Sequence, residues 1–491
     1  MVNHMIEDPF TDGLHAYAQK LRSGQINIGQ ALDYCLHRIN TYDSHLQSFE
    51  RVTPESATKT AQALQQLLDS GTDLGPLMGV PIAIKDIIAV AGLPTTNGSL
   101  YDSGLPKESE ASIVTRLKAA GCIVVGKTKT VEYALGATGI NSARGTPHNP
   151  NDWETKRIPG GSSSGSAVAV AAGFAGFALG TDTGGSVRIP ACFNGLFGHK
   201  SSVGLWPTDG VFPLSPTLDS IGPLCRSAAD AALVHEVLFA EQATLPDPTA
   251  NAAKEQDSLT SLHGLQGVRL AIPQDVFFDD LDPLVASVFE FVVKKLKDAG
   301  ADVFDIPLPE AHEKDVLFPQ LVPPELLQAL GRDGFAKARD NMDAVTRERA
   351  EVGLTVDAID YVAAKRRHAE LASMAERIFD QADALITPTC PFQPMAIADL
   401  ELEQNHQRSL LASRNTQPAN LLRLCASSVP VHHLVTELPP EGANQNVTHP
   451  HQPLPIGLQI MCKFNGDKKL LQLSQQCQRL LGQPALPQLP L

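Results

Sequence analysis

Three hydrophobic patterns follow one another along the chain. Over residues 11–70 the apolar positions Leu21, Ile26, Ala31, Leu32, Cys35, Leu36 and Ile39 recur at helical spacing. This predicts an N-terminal helical region with one face turned to the rest of the chain or to a partner subunit. From 75 to 235 short apolar runs alternate with helical stretches such as Ala111–Ala120, the alternation expected of an α/β fold whose sheet is covered by helices on both faces. Residues 236–380 are more charged and read as helical, including Leu284–Ala299 and Val356–Ala382. They are the least legible part of the pattern and the expected source of substrate specificity.

Two apolar runs carry polar residues at telling places. Gly79-Val80-Pro81-Ile82-Ala83-Ile84-Lys85-Asp86 reads as a buried strand that ends in a lysine. Ala167–Gly180 is almost wholly apolar, and it joins Gly160-Gly161-Ser162-Ser163-Ser164-Gly165-Ser166 to Thr181-Asp182-Thr183-Gly184-Gly185-Ser186-Val187-Arg188-Ile189-Pro190. A Gly/Ser block by itself reads as a linker or surface turn. A linker is flanked by polar sequence, whereas these blocks flank a run that must be buried, so the glycines belong inside a core. Neither block has the G-x-x-x-x-G-K-[ST] or G-x-G-x-x-G pattern of a phosphate cradle.

Serines on glycine-rich turns point to nucleophilic catalysis. Glycines permit close backbone approach, and Thr183, Gly184, Gly185 and Ser186 would offer successive N–H groups to a developing oxyanion. A serine hydroxyl needs a base, usually histidine, and the usual elbow reads G-x-S-x-G. Neither block contains a histidine or that elbow. Lysine can replace histidine where burial disfavours the ammonium form, and Lys85 behind Val80-Pro81-Ile82-Ala83-Ile84 meets that demand. Taken alone, a Lys-Asp at a strand end would read as a solvated turn.

Together these motifs resemble the amidase signature family of Lys/Ser/Ser hydrolases, in its free-standing amidase-like branch. The resemblance is dense from Gly75 to Arg226, through Thr95-Thr96-Asn97-Gly98-Ser99, Gly126-Lys127-Thr128 with Glu132, and Gly145-Thr146-Pro147-His148-Asn149-Pro150. It continues more sparsely through Leu218-Asp219-Ser220-Ile221-Gly222-Pro223, Ile386-Thr387-Pro388-Thr389 and Leu454-Pro455-Ile456-Gly457-Leu458-Gln459. It implies the amidase signature fold, a large mixed β-sheet core, as one domain over 1–491. Within it, 1–70 would be the helical region, 75–235 the catalytic core, 236–380 the variable helical region and 381–491 the C-terminal part of the core.

The resemblance also implies roles. Ser186 becomes the acylated nucleophile, Ser162 the bridging serine behind a cis peptide after Gly161, and Lys85 the general base, with Thr183, Gly184, Gly185 and Ser186 as oxyanion hole. Ser163 would support the lysine or the bridging serine. Asp182 and Arg188 would brace the nucleophile loop, and read equally as a structural ion pair. No metal or cofactor is implied. His199 stands where the family has an apolar residue in a Gly-Leu-Lys turn, so it either lines the pocket or fills space.

Composition narrows the partners. A chain of 491 residues with 43% hydrophobic content can bury an extensive core. Its net charge of −15, with no Lys/Arg cluster, opposes a nucleic-acid surface. The eight cysteines show no C-x-x-C spacing and read as reduced thiols rather than as a zinc site or disulfide framework. No signal-like h-region and no run of apolar residues long enough to span a membrane is present, so a cytoplasmic protein is expected. His449 and His451 form a conceivable metal pair in a Pro-flanked stretch that reads better as a loop. The expected partner is a small-molecule amide, anilide, carbamate (a urethanase-like reading) or urea-like substrate such as allophanate or biuret, with a homodimer left open. Arg414, Asn415 and Asn420 would either read a substrate carboxylate or be structural. The alternative on the same machinery is the glutamine-hydrolysing subunit of a tRNA-dependent amidotransferase, against which Ser186–Pro190 and Val211–Asp219 look more like free-standing amidases.

Overall fold

The computed structural model of the chain describes residues 7–101, 106–244, 264–439 and 453–490; His449 and His451 lie outside them. Eleven strands form one sheet: β1 (Phe49–Val52), β2 (Pro81–Lys85), β3 (Ile123–Thr128), β4 (Phe177–Asp182), β5 (Phe197–Lys200), β6 (Ser220–Cys225), β7 (Arg269–Pro273), β8 (Asp302–Ile306), β9 (Ala384–Pro388), β10 (Cys425–Pro430) and β11 (Gly457–Cys462). Their order is β1-β3-β2-β4-β6-β5-β10-β11-β9-β7-β8. Strands β3, β2 and β4 run parallel, as do β9, β7 and β8, and an antiparallel centre of β6, β5, β10 and β11 joins the two wings. The large mixed sheet expected of the amidase signature fold is therefore present.

The wing of β2 and β4 positions the site. Both strands are buried along their whole length, as parallel strands covered on both faces must be, which is why their sequences are apolar runs rather than alternations. Ile84 pairs with Leu179, so the C-terminal ends of the two strands, Lys85 and Asp182, open on the same edge. Ligand sites of open α/β sheets form at that edge. The stretch Ala167–Gly180 folds as most of the buried helix Ser164–Ala171 and the body of β4.

The N-terminal region forms the helices Gly13–Arg22, Ile28–Leu46 and Pro54–Asp69, packed on the catalytic body, with Tyr17 donating to the Gly79 carbonyl (3.1 Å). Within it the edge strand β1 interrupts the expected helical run and pairs with β3; four residues are too few to register a period of two. The predicted helices Ala111–Ala120 and Leu284–Ala299 are present as Ser112–Ala119 and Pro283–Asp298. Val356–Ala382 is present as Ala358–Ala375 with a short 3₁₀ turn to Asp380. The region 236–380 is not wholly helical: β7 and β8 extend the sheet. All eight cysteines are buried free thiols. Among the described residues no helix is long and apolar enough to cross a membrane.

Candidate active site

Lys85 is fully buried at the end of β2. Its Nζ lies 2.8 Å from Ser162 Oγ and donates to Thr181 Oγ1 at 2.8 Å. Burial depresses its pKa to about 7, against the opposing pull of Asp219 and Asp182. The adjoining Asp86 does not neutralise it: that carboxylate turns to Lys127, whose Nζ is 2.9 Å from Oδ1, and accepts from the Thr96 N–H and hydroxyl.

The Gly161–Ser162 peptide is cis, and the Ser162 carbonyl accepts from Val131 N–H (3.2 Å) and Thr130 Oγ1 (3.0 Å). Ser163 supports neither Lys85 nor the Ser162 hydroxyl directly. Its N–H donates to the Ser186 carbonyl (3.2 Å), and its Oγ meets the Thr181 backbone N–H and carbonyl (3.3 Å each). The support passes one residue along, through Thr181, which sequence reasoning did not single out. Its hydroxyl at the head of the Thr181–Pro190 block, directly before Asp182, is the signal that could have found it.

Ser186 is nearly buried, and it lines a cavity of about 300 Å³ with Thr183 and Gly184. Of the four expected oxyanion donors, Gly185 is committed elsewhere, since its N–H donates to Asp182 Oδ1 at 2.8 Å. The described residues place no acceptor against the N–H groups of Thr183, Gly184 and Ser186. Only glycine fits at 185, where φ is +126° and a Cβ would stand 2.1 Å from Thr416 Oγ1.

Asp182 and Arg188 are both a brace and a buried ion pair. Arg188 Nη2 is 2.9 Å from Asp182 Oδ1 with neither side chain exposed, and Asp182 also accepts from Val187 N–H (3.2 Å) and Asn420 Nδ2 (2.9 Å). Burial pushes the carboxyl up, but Arg188, Lys200 and Asn420 together hold it well below the ordinary range. The guanidinium also donates to Thr416 O, Gln459 Oε1 and Asn420 Oδ1, tying the Ser186 loop to the helix Gln417–Leu421 and to β11. A further residue enters from the Leu218–Pro223 motif. Asp219 accepts from Thr183 Oγ1 (2.5 Å) and Ser215 N–H (2.9 Å), and burial raises its carboxyl to about 7.

Arg414, Asn415 and Asn420 are structural. Arg414 and Asn415 hold the Phe277–Asp279 backbone, Asn420 holds Asp182, and none of the three lines the cavity. His199 does not line it either, for it is buried on β5 with Nε2 2.9 Å from Asp467 Oδ1. The region 236–380 does contribute. Phe318, Val322 and Arg349 line the cavity, on the helices Lys314–Ala338 and Ala344–Glu351.

The amidase family model matches residues 30–471, and the chain belongs to that family of amide-hydrolysing enzymes. It is 36% identical over 475 residues, 96% of each chain, to the 2-amino-5-chloromuconic acid deaminase of Comamonas testosteroni. It is 33% identical over 486 residues to a glutamyl-tRNA(Gln) amidotransferase subunit of Symbiobacterium thermophilum, covering 93% of this chain and 94% of that one. A solved amidase structure aligns with TM-score 0.80 and 30% identity, over 95% of this chain and 99% of its own.

Proposed function

We propose that the protein hydrolyses the C–N bond of a small-molecule amide through an acyl-enzyme on Ser186. The observation that carries this reading is a fully buried Lys85 with Nζ 2.8 Å from Ser162 Oγ, on the loop whose next residue binds the Ser186 carbonyl. Neutral Lys85 takes a proton through the Ser162 hydroxyl, and Ser186 attacks the substrate carbonyl. The oxyanion rests on N–H groups of Thr183, Gly184 and Ser186, while Gly185 keeps the loop in shape by its bond to Asp182. The proton returns along the relay to the leaving nitrogen, and water releases the acid from Ser186.

The deaminase relative is named for removing nitrogen from an acid, a reaction that likewise breaks a C–N bond. The amidotransferase relatives supply a second reading, glutamine hydrolysis for a partner subunit. The isolated chain should convert simple amides, anilides or carbamates to hydroxamates when hydroxylamine is added, because an acyl-enzyme is open to any nucleophile that enters. Inertness toward all of them, with glutamine hydrolysed only after a partner subunit is supplied, would replace the first reading by the second.

A further inference from the structure

The cavity beside Ser186 is lined by more cations than anions in a chain whose net charge is −15. Lys314 and Arg349 reach it, with the imidazole of His406 beside them, against the single acid Asp315. Lys314 is already answered, its Nζ 2.5 Å from Asp315 Oδ1, and His406 Nδ1 is 3.7 Å from Glu348 Oε2. Arg349 has no carboxylate partner among the described residues; its Nη1 donates to Ser409 Oγ at 3.0 Å. A guanidinium carries five N–H donors in a planar fork, so most of this fork is left to whatever occupies the cavity. Burial already pulls its pKa down to about 10, which is the cost of a cation partly withdrawn from water without a counter-charge.

The fork is also held in place. Ser409 Oγ accepts the Ala137 N–H at 2.9 Å, and the Ala137 carbonyl accepts from Gly161 N–H at 2.7 Å. Arg349 is thus anchored by a chain of hydrogen bonds to Gly161, the residue before Ser162. Its helix is fixed at the other end, where Asp343 N–H donates to Glu132 Oε2 (2.7 Å) and Ser142 N–H to Asp343 Oδ2 (3.1 Å). Much of the remaining wall is apolar, with Leu135, Ile189, Leu214, Phe318 and Val322. A preorganised, half-buried guanidinium in such a wall fits one planar anion, a carboxylate, bound through two parallel hydrogen bonds.

Resting on the amide-hydrolysis reading, we propose that Arg349 binds a carboxylate of the substrate, so that the site takes monoamides of small dicarboxylic acids. The cavity of about 300 Å³ is at the small end for ligand sites, consistent with a compact acid.

The test pairs the monoamides of succinic, fumaric and adipic acids with neutral amides of the same length that lack the carboxylate. The whole chain should prefer at least one acid over its neutral partner in kcat/KM. Arg349→Met should collapse that ratio by about 10- to 100-fold, mainly through KM, the range expected for a charge-assisted hydrogen bond. Arg349→Lys, which keeps the charge without the fork, should retain part of it. Calorimetric titration of the same acids into Ser186→Ala and Ser186→Ala/Arg349→Met separates this claim from the hydrolytic one, since it needs no turnover. Tighter binding to the first protein supports the proposal even if no amide is cleaved. Equal binding to both, or a kcat/KM ratio indifferent to Arg349, overturns it.

Discussion

A lysine can serve as base near neutral pH only if something removes its proton, and in this chain that something is burial. Lys85 sits at about 7 because it is fully buried, and its sequence neighbour Asp86 is engaged by Lys127. Activity should therefore rise with pH through about 7 as the neutral amine accumulates, and level off above. Asp219 is the leading influence against that depression. Asp219→Asn keeps an acceptor for the Thr183 hydroxyl but removes the charge that the carboxyl takes on around pH 7, so the upper part of the rising limb of the pH–rate profile should move to lower pH. An unmoved limb would mean that the Asp219 charge does not act on the group that governs it. Ser186→Ala and Lys85→Ala should each cut turnover by at least about 100-fold with the fold intact, as groups that act as one unit do; circular dichroism beside the rate assay checks both halves. Lys85 and the two serines were legible because a polar residue ending an apolar run, and glycines flanking a buried run, are both anomalies that physical chemistry must account for. Thr181 and Asp219 were not, since a hydroxyl at a strand end and an acid in a Pro-rich loop are ordinary until the fold brings them to the loop.

At the level of elements, the strand-to-helix turn from β4 into Arg188–Asn194 depends on one ion pair. Asp182 gathers three loop N–H groups, and Arg188 passes the constraint to Thr416, Asn420 and Gln459. Removing the cation would leave a buried carboxylate without its counter-charge. Arg188→Met should lower stability by about 3–5 kcal/mol, the usual cost of breaking a buried pair from one side, and urea denaturation of the purified variant measures it. A loss within the ordinary range of surface substitutions, about 0.5 kcal/mol, would show that the remaining hydrogen bonds hold Asp182 alone. Periodicity revealed long helices such as Pro283–Asp298, whose apolar face is continuous. It hid β1, β7 and β8, which are four or five residues long; β1 and β7 pair with β3 and β9, far away in sequence, and β8 is an edge strand on β7.

For the whole molecule, the cavity is assembled from segments around 135, 185, 320, 350 and 410, and no local pattern announces that they meet. Lys85, at the end of a strand set between β3 and β4, is fully buried, and that burial carries an energetic signature. In the folded chain Lys85 gives up its proton near 7, whereas an unfolded lysine keeps it to about 10.4. Between those values the unfolded state binds more protons, so this residue makes stability increase as pH rises from about 7, by roughly 1.4 kcal/mol per pH unit at most. Below 7 its contribution is constant and unfavourable. Lys85→Met has no such titration, and the methionine fills similar volume while giving up the hydrogen bonds to Ser162 and Thr181. Whatever the absolute difference at pH 7, the stability of the natural chain relative to Lys85→Met should therefore grow steadily between pH 7 and 9.5 in denaturant titrations. A difference that stays flat across that window would mean that Lys85 keeps its proton as an exposed lysine does, and the base assigned to this site would have to be sought elsewhere.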